Sequence, residues 1–256
     1  MILLLGASSF NVRYFLETSD KDIFCLIHKN IPTIKRANVI YIKNLLDINN
    51  ISKYHDVTVI NFASSYNLNN KFYALFFSNF LTLFLNVLKI KRRNKVNVIN
   101  IGSYWQNSNY RYKDSYIMVK NLCDFIFIKF LKSVNYINLK IGDVIDLDDH
   151  RDKLVKYLLD NKDSKELILE SSSEELMFPI SREQIAKALE FLILEKDLFN
   201  NNQVHYVSLF KNSITLRNFV EEFKTQQELN FSFIFKSKNP KRNYNFQKNN
   251  DFCLII

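Results

Sequence analysis

The chain has 256 residues, 47% of them apolar, and 35 Lys and Arg against 26 Asp and Glu give it a formal net charge of +9. Such a chain buries a sizeable core without disulfides, which excludes a disordered or a disulfide-stapled protein and fits one α/β domain, alone or with a small lobe. Only 3 glycines occur, where about 18 would be usual at roughly 7%, so motifs ordinarily written with glycine are expected to carry serine, asparagine or aspartate.

The first element is a short apolar run, "ILLL" (2–5), ended by Gly6, and a helical pattern follows over roughly 10–18. The start "MILLLGASS" has no basic stretch, and its apolar run is too short for a secretory signal. β-rich runs come at 22–29 ("DIFCLIHK") and 39–44 ("VIYIKN"), a short helix at 47–54, and a strand at 57–65 ("VTVINFASS"). Residues 72–90, "FYALFFSNFLTLFLNVLKI", have the length of a membrane span. Ser78, Asn79, Thr82 and Asn86 interrupt them, and polar groups in lipid are costly, so they read as a helix buried between a sheet and a partner. A strand at 95–103, a helix at roughly 114–133 and a strand at 134–144 complete the regular part. Short buried strands alternating with helices imply a doubly wound parallel sheet, with ligands at the carboxyl ends of its strands. Beyond 145 the rhythm loosens. Helices are expected at 150–161, 182–196 and 215–224 and strands at 166–171 and 203–209, while 236–256 lacks periodicity and reads as poorly ordered. The division expected is 1–145 for the dinucleotide-binding domain with the catalytic residues, and 146–256 for a small, interleaved substrate lobe.

Cys25, Cys123 and Cys253 are far apart with no C-x-x-C, and His28, His55, His150 and His205 lack ligand spacing. No disulfide framework or metal is implied, "DLDDH" (146–150) reads as a solvated loop, and a reducing cytoplasm is the expected compartment. The basic clusters "KIKRRNK" (89–95) and "KSKNPKRNYNFQKNN" (236–250) read as solvated surface, since no nucleic-acid module accompanies them. The positive field suits an anionic nucleotide substrate.

A strand, then "GASSFNV" (6–12), then a helix is the setting in which a glycine-rich turn cradles a pyrophosphate. Glycine is usual at the places of Gly6, Ser9 and Val12, and only the first retains it. After the second strand, His28 and Lys29 stand where an acid would hold an NAD ribose, so NADP is favoured. The stretch "IGSYWQNSNYRYKDSYIMVK" (101–120) carries Ser103 at a strand end and Tyr116 four residues before Lys120. Hydride transfer to a carbonyl needs a proton donor at the oxygen. A tyrosine serves if its pKa falls well below about 10, and an ammonium one helical turn along favours that.

At this point the chain resembles the extended short-chain dehydrogenase/reductase family that acts on nucleotide sugars, nearest to reductases of the CDP-abequose/CDP-paratose synthase type. The likeness rests on "INIGSYWQ" (99–106), "YIMVK" (116–120), "LKIGDVIDLDDHRDKL" (139–154) and "FPISREQIAKALEFLI" (178–193), over about the first 220 residues. It implies a Rossmann sheet with a small C-terminal substrate lobe. It also implies NAD(P)H-dependent reduction of the 4-keto group of a nucleotide-linked deoxysugar, as in making cell-surface polysaccharide such as the O-antigen of lipopolysaccharide. A 4-epimerase, or a non-catalytic dinucleotide binder, stays open beside that reading. By the resemblance, Ser103 positions the sugar carbonyl, Tyr116 is the acid/base, and Lys120 lowers its pKa and holds the nicotinamide ribose. Gly6, Ser8, Ser9, Phe10 and Asn11 surround the pyrophosphate, and Asn44 with Leu45 faces the adenine. Phe62, Ala63 and Ser64 cover the cofactor, NADP(H) by preference or NAD(H), with Asn79 in the long helix. Ser65, Tyr104, Trp105, Asp143, Arg151 and Lys153 belong to the substrate side. Ile145, Asp146 and Leu147 replace the family's Y-G-P turn, and a carboxylate there is unexpected. Tyr104 and Trp105 follow the active-site serine where sugar-nucleotide dehydratases commonly carry acids, so redox ranks above dehydration. Helices 72–90 and 116–133 are apolar nearly all round, and a homodimer through them is expected.

Overall fold

The computed structural model describes residues 1–27, 34–43, 54–62, 82–91, 95–107, 115–130, 134–149, 154–199, 204–209, 212–240 and 252–254. The strands are β1 (Ile2–Leu5), β2 (Ile23–Leu26), β3 (Val39–Ile42), β4 (Asp56–Asn61), β5 (Lys95–Ser103), β6 (Asn135–Ile141), β7 (Asp143–Val144), β8 (Glu166–Ser172), β9 (Leu176–Met177), β10 (Pro179–Ile180), β11 (Val204–Leu209), β12 (Ile214–Thr215), β13 (Ser232–Ser237) and β14 (Phe252–Cys253). The described α-helices are α1 (Arg13–Thr18), α2 (Thr82–Lys91), α3 (Ser115–Phe130), α4 (Leu154–Asp160), α5 (Arg182–Leu194) and α6 (Leu216–Gln226).

Eight strands form one sheet in the order β14-β11-β6-β5-β4-β1-β2-β3, and every pairing in it is parallel. This is a Rossmann-like α/β fold, as the alternation of elements predicts. Its strands are buried on both faces, which is why they read as continuous apolar runs. Successive residues serve opposite layers. Ile2 and Leu4 pack with α1 and α5 in one core, and Leu3 and Leu5 pack with α2 and α3 in the other. Chain order reverses between β1 and β4, so the crevice for a ligand opens at their carboxyl ends.

A third core joins α4, β8, α6 and Phe231. Leu216, Phe219, Val220 and Phe223 form the buried stripe of α6, at the spacing of one helix face. Between these parts, α5 starts in a fixed place. The Ser181 side chain accepts from the Gln184 N–H at 3.1 Å, and the Gln184 side chain accepts from the Ser181 N–H at 2.9 Å. This reciprocal cap satisfies two donors at the helix start.

One expectation is corrected. The run 134–144 is not one strand, because the chain leaves the main sheet at Gly142. The Asp143 N–H donates to the Phe178 carbonyl at 2.7 Å, and β7 pairs with β10 instead. Two strands, β13 and β14, were not expected from the sequence, and most of the tail expected to be poorly ordered, 241–251 and 255–256, lies outside the described residues. β13 pairs in parallel with β8, its alternation hidden by the start of the basic run. Phe252–Cys253, too short for any period to show, adds to β11 at the edge of the main sheet. The expected helix at 47–54 lies outside the described residues except for Tyr54, and so does 72–81; α2 accounts for the rest of that apolar segment. Among the described residues, no helix is long and apolar enough to cross a membrane.

Candidate active site

β5 ends at Ser103, and a turn of 3-10 helix, Tyr104–Asn107, follows it. Ser103 Oγ accepts from the Trp105 N–H at 3.3 Å, so the local turn fixes its orientation. α3 then places Tyr116 and Lys120 on one face, one turn apart. Both are buried. Lys120 Nζ lies 5.0 Å from the centre of the Tyr116 ring and donates to the Ile101 carbonyl in β5 at 2.5 Å. The ammonium is thereby tied to the sheet edge beside the phenol. Trp105 meets the Tyr116 ring edge-on at 6.4 Å.

Ser103, Tyr104, Trp105 and Tyr116 line one cavity of about 270 Å³ with Asp143, Ile145, Asp146, Asp149, Leu154 and Met177, among others. Its walls come from the carboxyl end of β5, the head of α3, the turn after β7 and the start of α4. Asp143 is half-buried, and its Oδ2 accepts from Tyr104 Oη at 2.7 Å and from the Phe178 N–H at 3.0 Å. Asp149 is buried. The mixture of aromatic rings and placed carboxylates suits a polyol with an apolar face. The wall carries three carboxyl side chains, at Asp143, Asp146 and Asp149, and that of Asp146 is paired with Arg182.

Beneath the site lies a buried polar cluster. Asp124 is one further turn along α3, so Tyr116, Lys120 and Asp124 share a face. Its carboxyl accepts from Tyr136 Oη at 2.5 Å, from Gln106 Nε2 at 2.9 Å, and from Asn138 Nδ2. Gln106 passes the link on, its Oε1 accepting from the Ser103 N–H at 3.0 Å and its Nε2 reaching Asn121 Oδ1 at 2.9 Å. The helix carrying Tyr116 is thus joined to the strand end carrying Ser103. Burial raises the Asp124 pKa against the opposing pull of its three donors and Lys120. Burial and the neighbouring Asp124 hold the Tyr136 phenol well above its ordinary range. Gly102 is required here: a Cβ on it would stand 1.9 Å from Asn138 Oδ1 and 2.6 Å from Gln106 Oε1.

The β1–α1 turn is built differently. Gly6 has φ +78°, a conformation costly for other residues, and its carbonyl accepts from the Ser9 N–H at 2.9 Å. Ser8 is exposed, and Gly6, Ser9 and Phe10 are half-buried. Ser9 has φ −66° and ψ 132°, and its side chain makes no cap bond. Asn11 is buried, and Val12 is buried completely in the core. Phe62 sits beside the turn, its N–H donating to the Leu5 carbonyl at 2.8 Å. A turn with positive φ, then small residues, then a helix start that no side chain caps, fits a dinucleotide pyrophosphate. Among the described residues, no group of three metal-ligating side chains occurs.

Of the sequence-predicted residues, Ser103, Tyr104, Trp105, Tyr116 and Asp143 meet at the cavity, with Lys120 directly behind. Gly6, Ser8, Ser9, Phe10, Asn11 and Phe62 gather at the ends of β1 and β4. His28, Lys29, Asn44, Leu45, Ala63, Ser64, Ser65, Asn79, Arg151 and Lys153 lie outside the described residues. Sequence reasoning missed Gln106 and Asp124; the repeat of the four-residue spacing from Tyr116 through Lys120 to Asp124 was the available signal.

No protein-family model matches the chain, and no curated protein matches its sequence. Solved structures do match in fold. The dTDP-glucose 4,6-dehydratase of Bacillus anthracis str. Ames, in complex with NAD, aligns over 96% of this chain and 88% of its own, at TM-score 0.70 and 14% identity. MoeE5, in complex with UDP-glucuronic acid and NAD, aligns over 93% and 86%, at TM-score 0.70 and 11% identity. The UDP-N-acetylglucosamine 4-epimerase of Methanobrevibacter ruminantium M1, in complex with UDP-N-acetylmuramic acid, aligns over 93% and 86%, at TM-score 0.67 and 15% identity. At these identities the likeness is one of fold.

Proposed function

We propose that the protein is an NAD(P)H-dependent oxidoreductase that reduces the 4-keto group of a nucleotide-linked deoxysugar. The observation that carries this reading is the meeting of Ser103 and Tyr116 in one cavity at the strand ends, with the Lys120 ammonium held one helical turn behind. The fold neighbours that bind NAD and nucleotide sugars support the choice of cofactor and substrate class.

A bound nicotinamide would supply the hydride. Ser103 Oγ holds the carbonyl oxygen, and Tyr116 Oη gives that oxygen its proton as negative charge develops. The ammonium of Lys120 stabilises the phenolate left behind. Tyr104, Trp105 and Met177 exclude water from the reacting carbon. No carboxylate directly follows Ser103, and Asp143 is engaged with Tyr104 and Phe178, so the arrangement favours redox over proton abstraction from carbon. The net charge of +9 and the basic Lys29 favour NADPH. By the resemblance to nucleotide-sugar reductases, the substrate diphosphate would meet Arg151 and Lys153.

CDP-, dTDP-, UDP- and GDP-linked 4-keto-6-deoxysugars, incubated with NADPH or NADH, test the reading. Loss of nicotinamide absorbance together with a reduced sugar is the expected result. Interconversion of C4 epimers without net consumption of cofactor would make the protein an epimerase instead. Binding of dinucleotide without turnover of any member would make it a binder.

The same reading includes a homodimer. Leu85, Met118, Phe125 and Phe130, on α2 and α3, are between 40% and 62% exposed, an apolar surface that a second copy would cover. Sedimentation of dilute protein should show a dimer, and F125E a monomer; a monomeric wild type would end this part of the proposal.

A further inference from the structure

Arg182, the first residue of α5, stands at the seam between the β1–α1 turn and the cavity. Its guanidinium carbon lies 4.4 Å from the centre of the Phe10 ring, over the turn. Its Nε is paired with Asp146 Oδ2, and Nη2 lies 3.8 Å from Asp148 Oδ2. The Arg182 and Asp146 side chains are only 15% and 17% exposed. Asp146 is itself held in place, its Oδ1 accepting from the Asp148 N–H at 2.9 Å. The reciprocal cap at Ser181 and Gln184 fixes the backbone next door. Stacking, ion pair and cap together fix the plane of the guanidinium. Among the described residues, Nη1 has no partner.

An arginine so held is unusual beside a turn that has lost glycine. Glycine at the places of Ser9 and Val12 would let backbone N–H groups come close to a pyrophosphate. Without those glycines, a planar fork of donors from another element can supply further hydrogen bonds to an anion on the turn. The guanidinium lies over Phe10 of the turn, so the anion at this seam is placed on the turn side.

We propose that Arg182 is a diphosphate-binding residue of the dinucleotide site, its guanidinium aimed by Phe10 and Asp146 at an anion seated on the Gly6–Val12 turn. The inference rests on the dinucleotide reading above. It assigns the contact to the diphosphate of the cofactor and not to that of the sugar nucleotide.

Fluorescence and calorimetric titration with NADH, NADPH, ADP-ribose and dTDP tests it, with thermal melting as the check on folding. R182Q should weaken the dinucleotides and ADP-ribose by about tenfold or more, with dTDP unchanged. R182K keeps the charge, loses the fork and should fall between wild type and R182Q. D146N weakens the aim from the other side while leaving the guanidinium in place, and it should lose clearly less affinity than R182Q. If D146N loses as much affinity as R182Q, Arg182 is a strut and the inference is overturned. Loss of dTDP binding with dinucleotide affinity intact also overturns it, and so do unchanged affinities in folded R182Q. If wild-type protein binds neither dinucleotide, the functional reading fails first and this inference falls with it.

Discussion

The two ends of the site are held by different means. At the end proposed to be catalytic, Ser103, Tyr116 and Lys120 stand on a strand end and a helix joined from below by buried hydrogen bonds through Gln106, Asp124, Asn138 and Tyr136. At the dinucleotide end, the turn from Gly6 to Val12 is shaped by one positive φ, one short backbone bond and apolar burial of Val12. The first end is polar and interlocked. The second is a backbone shape that several small residues can adopt. The contrast sets side chains fixed by their partners against a backbone shape that Ser9 and Val12 adopt without glycine.

The largest effect is expected at the tyrosine. Tyr116→Phe keeps the ring against Trp105 and removes only the proton donor. Turnover should fall by about 10²–10⁴, with dinucleotide affinity and melting temperature near wild type. A variant that keeps most of its activity would remove Tyr116 from the chemistry.

Asp124 comes next, as a test of stability. Asp124→Leu leaves Tyr136, Gln106 and Asn138 without their shared acceptor in a buried place, at a cost of roughly 3 kcal/mol, read by denaturant titration. Asp124→Asn imitates the protonated acid, its oxygen facing Gln106 and Asn138 and its amide facing Tyr136. The sign of the pH effect follows from the raised pKa. The folded protein holds the proton more tightly than the unfolded chain, whose carboxyl titrates near about 4. The contribution of the protonated acid is full below that value and is lost as pH rises through the folded pKa. Wild-type stability should therefore fall relative to Asp124→Asn as pH rises across that window. A constant difference between the two would show that folding does not raise the Asp124 pKa.

Gly102→Ala probes the same cluster from the strand. The added methyl meets Asn138 and Gln106, and Gln106 must give up its bond to the Ser103 N–H. A loss of about 1–3 kcal/mol is expected, with turnover reduced beyond what the lost stability explains. Wild-type stability and activity in this variant would mean that the cluster yields easily and does not position Ser103.

The same contrast decides how much could be read from the sequence. The parallel sheet was legible because its strands are apolar on both faces and its helices fall between them. Tyr116 and Lys120 were legible because helical spacing is local, four residues to a turn. Gln106 was hidden, since its partners Ser103, Asn121, Asp124 and Asn138 lie on three different elements. Arg182 and Phe10 are far apart in the chain, and no periodicity announces their contact. β14 could not be read, because two residues carry no pattern and its order comes entirely from β11.

The smallest effect is expected where sequence alone suggested the greatest damage. Ser9→Gly restores a glycine at its usual place in the turn. Ser9 already has φ −66° and ψ 132°, a conformation open to any residue, so the backbone gains no relief from the change. The unfolded chain gains freedom, and stability should drop by no more than about 1 kcal/mol. Dinucleotide affinity, measured by NADH fluorescence, should move less than about threefold, since the Ser9 hydroxyl caps nothing and the removed group is small. A tenfold tightening would mean that the side chain at this place had been holding the pyrophosphate off the turn. The dinucleotide end would then be degraded, not rebuilt, and the two ends would differ in competence as well as in construction.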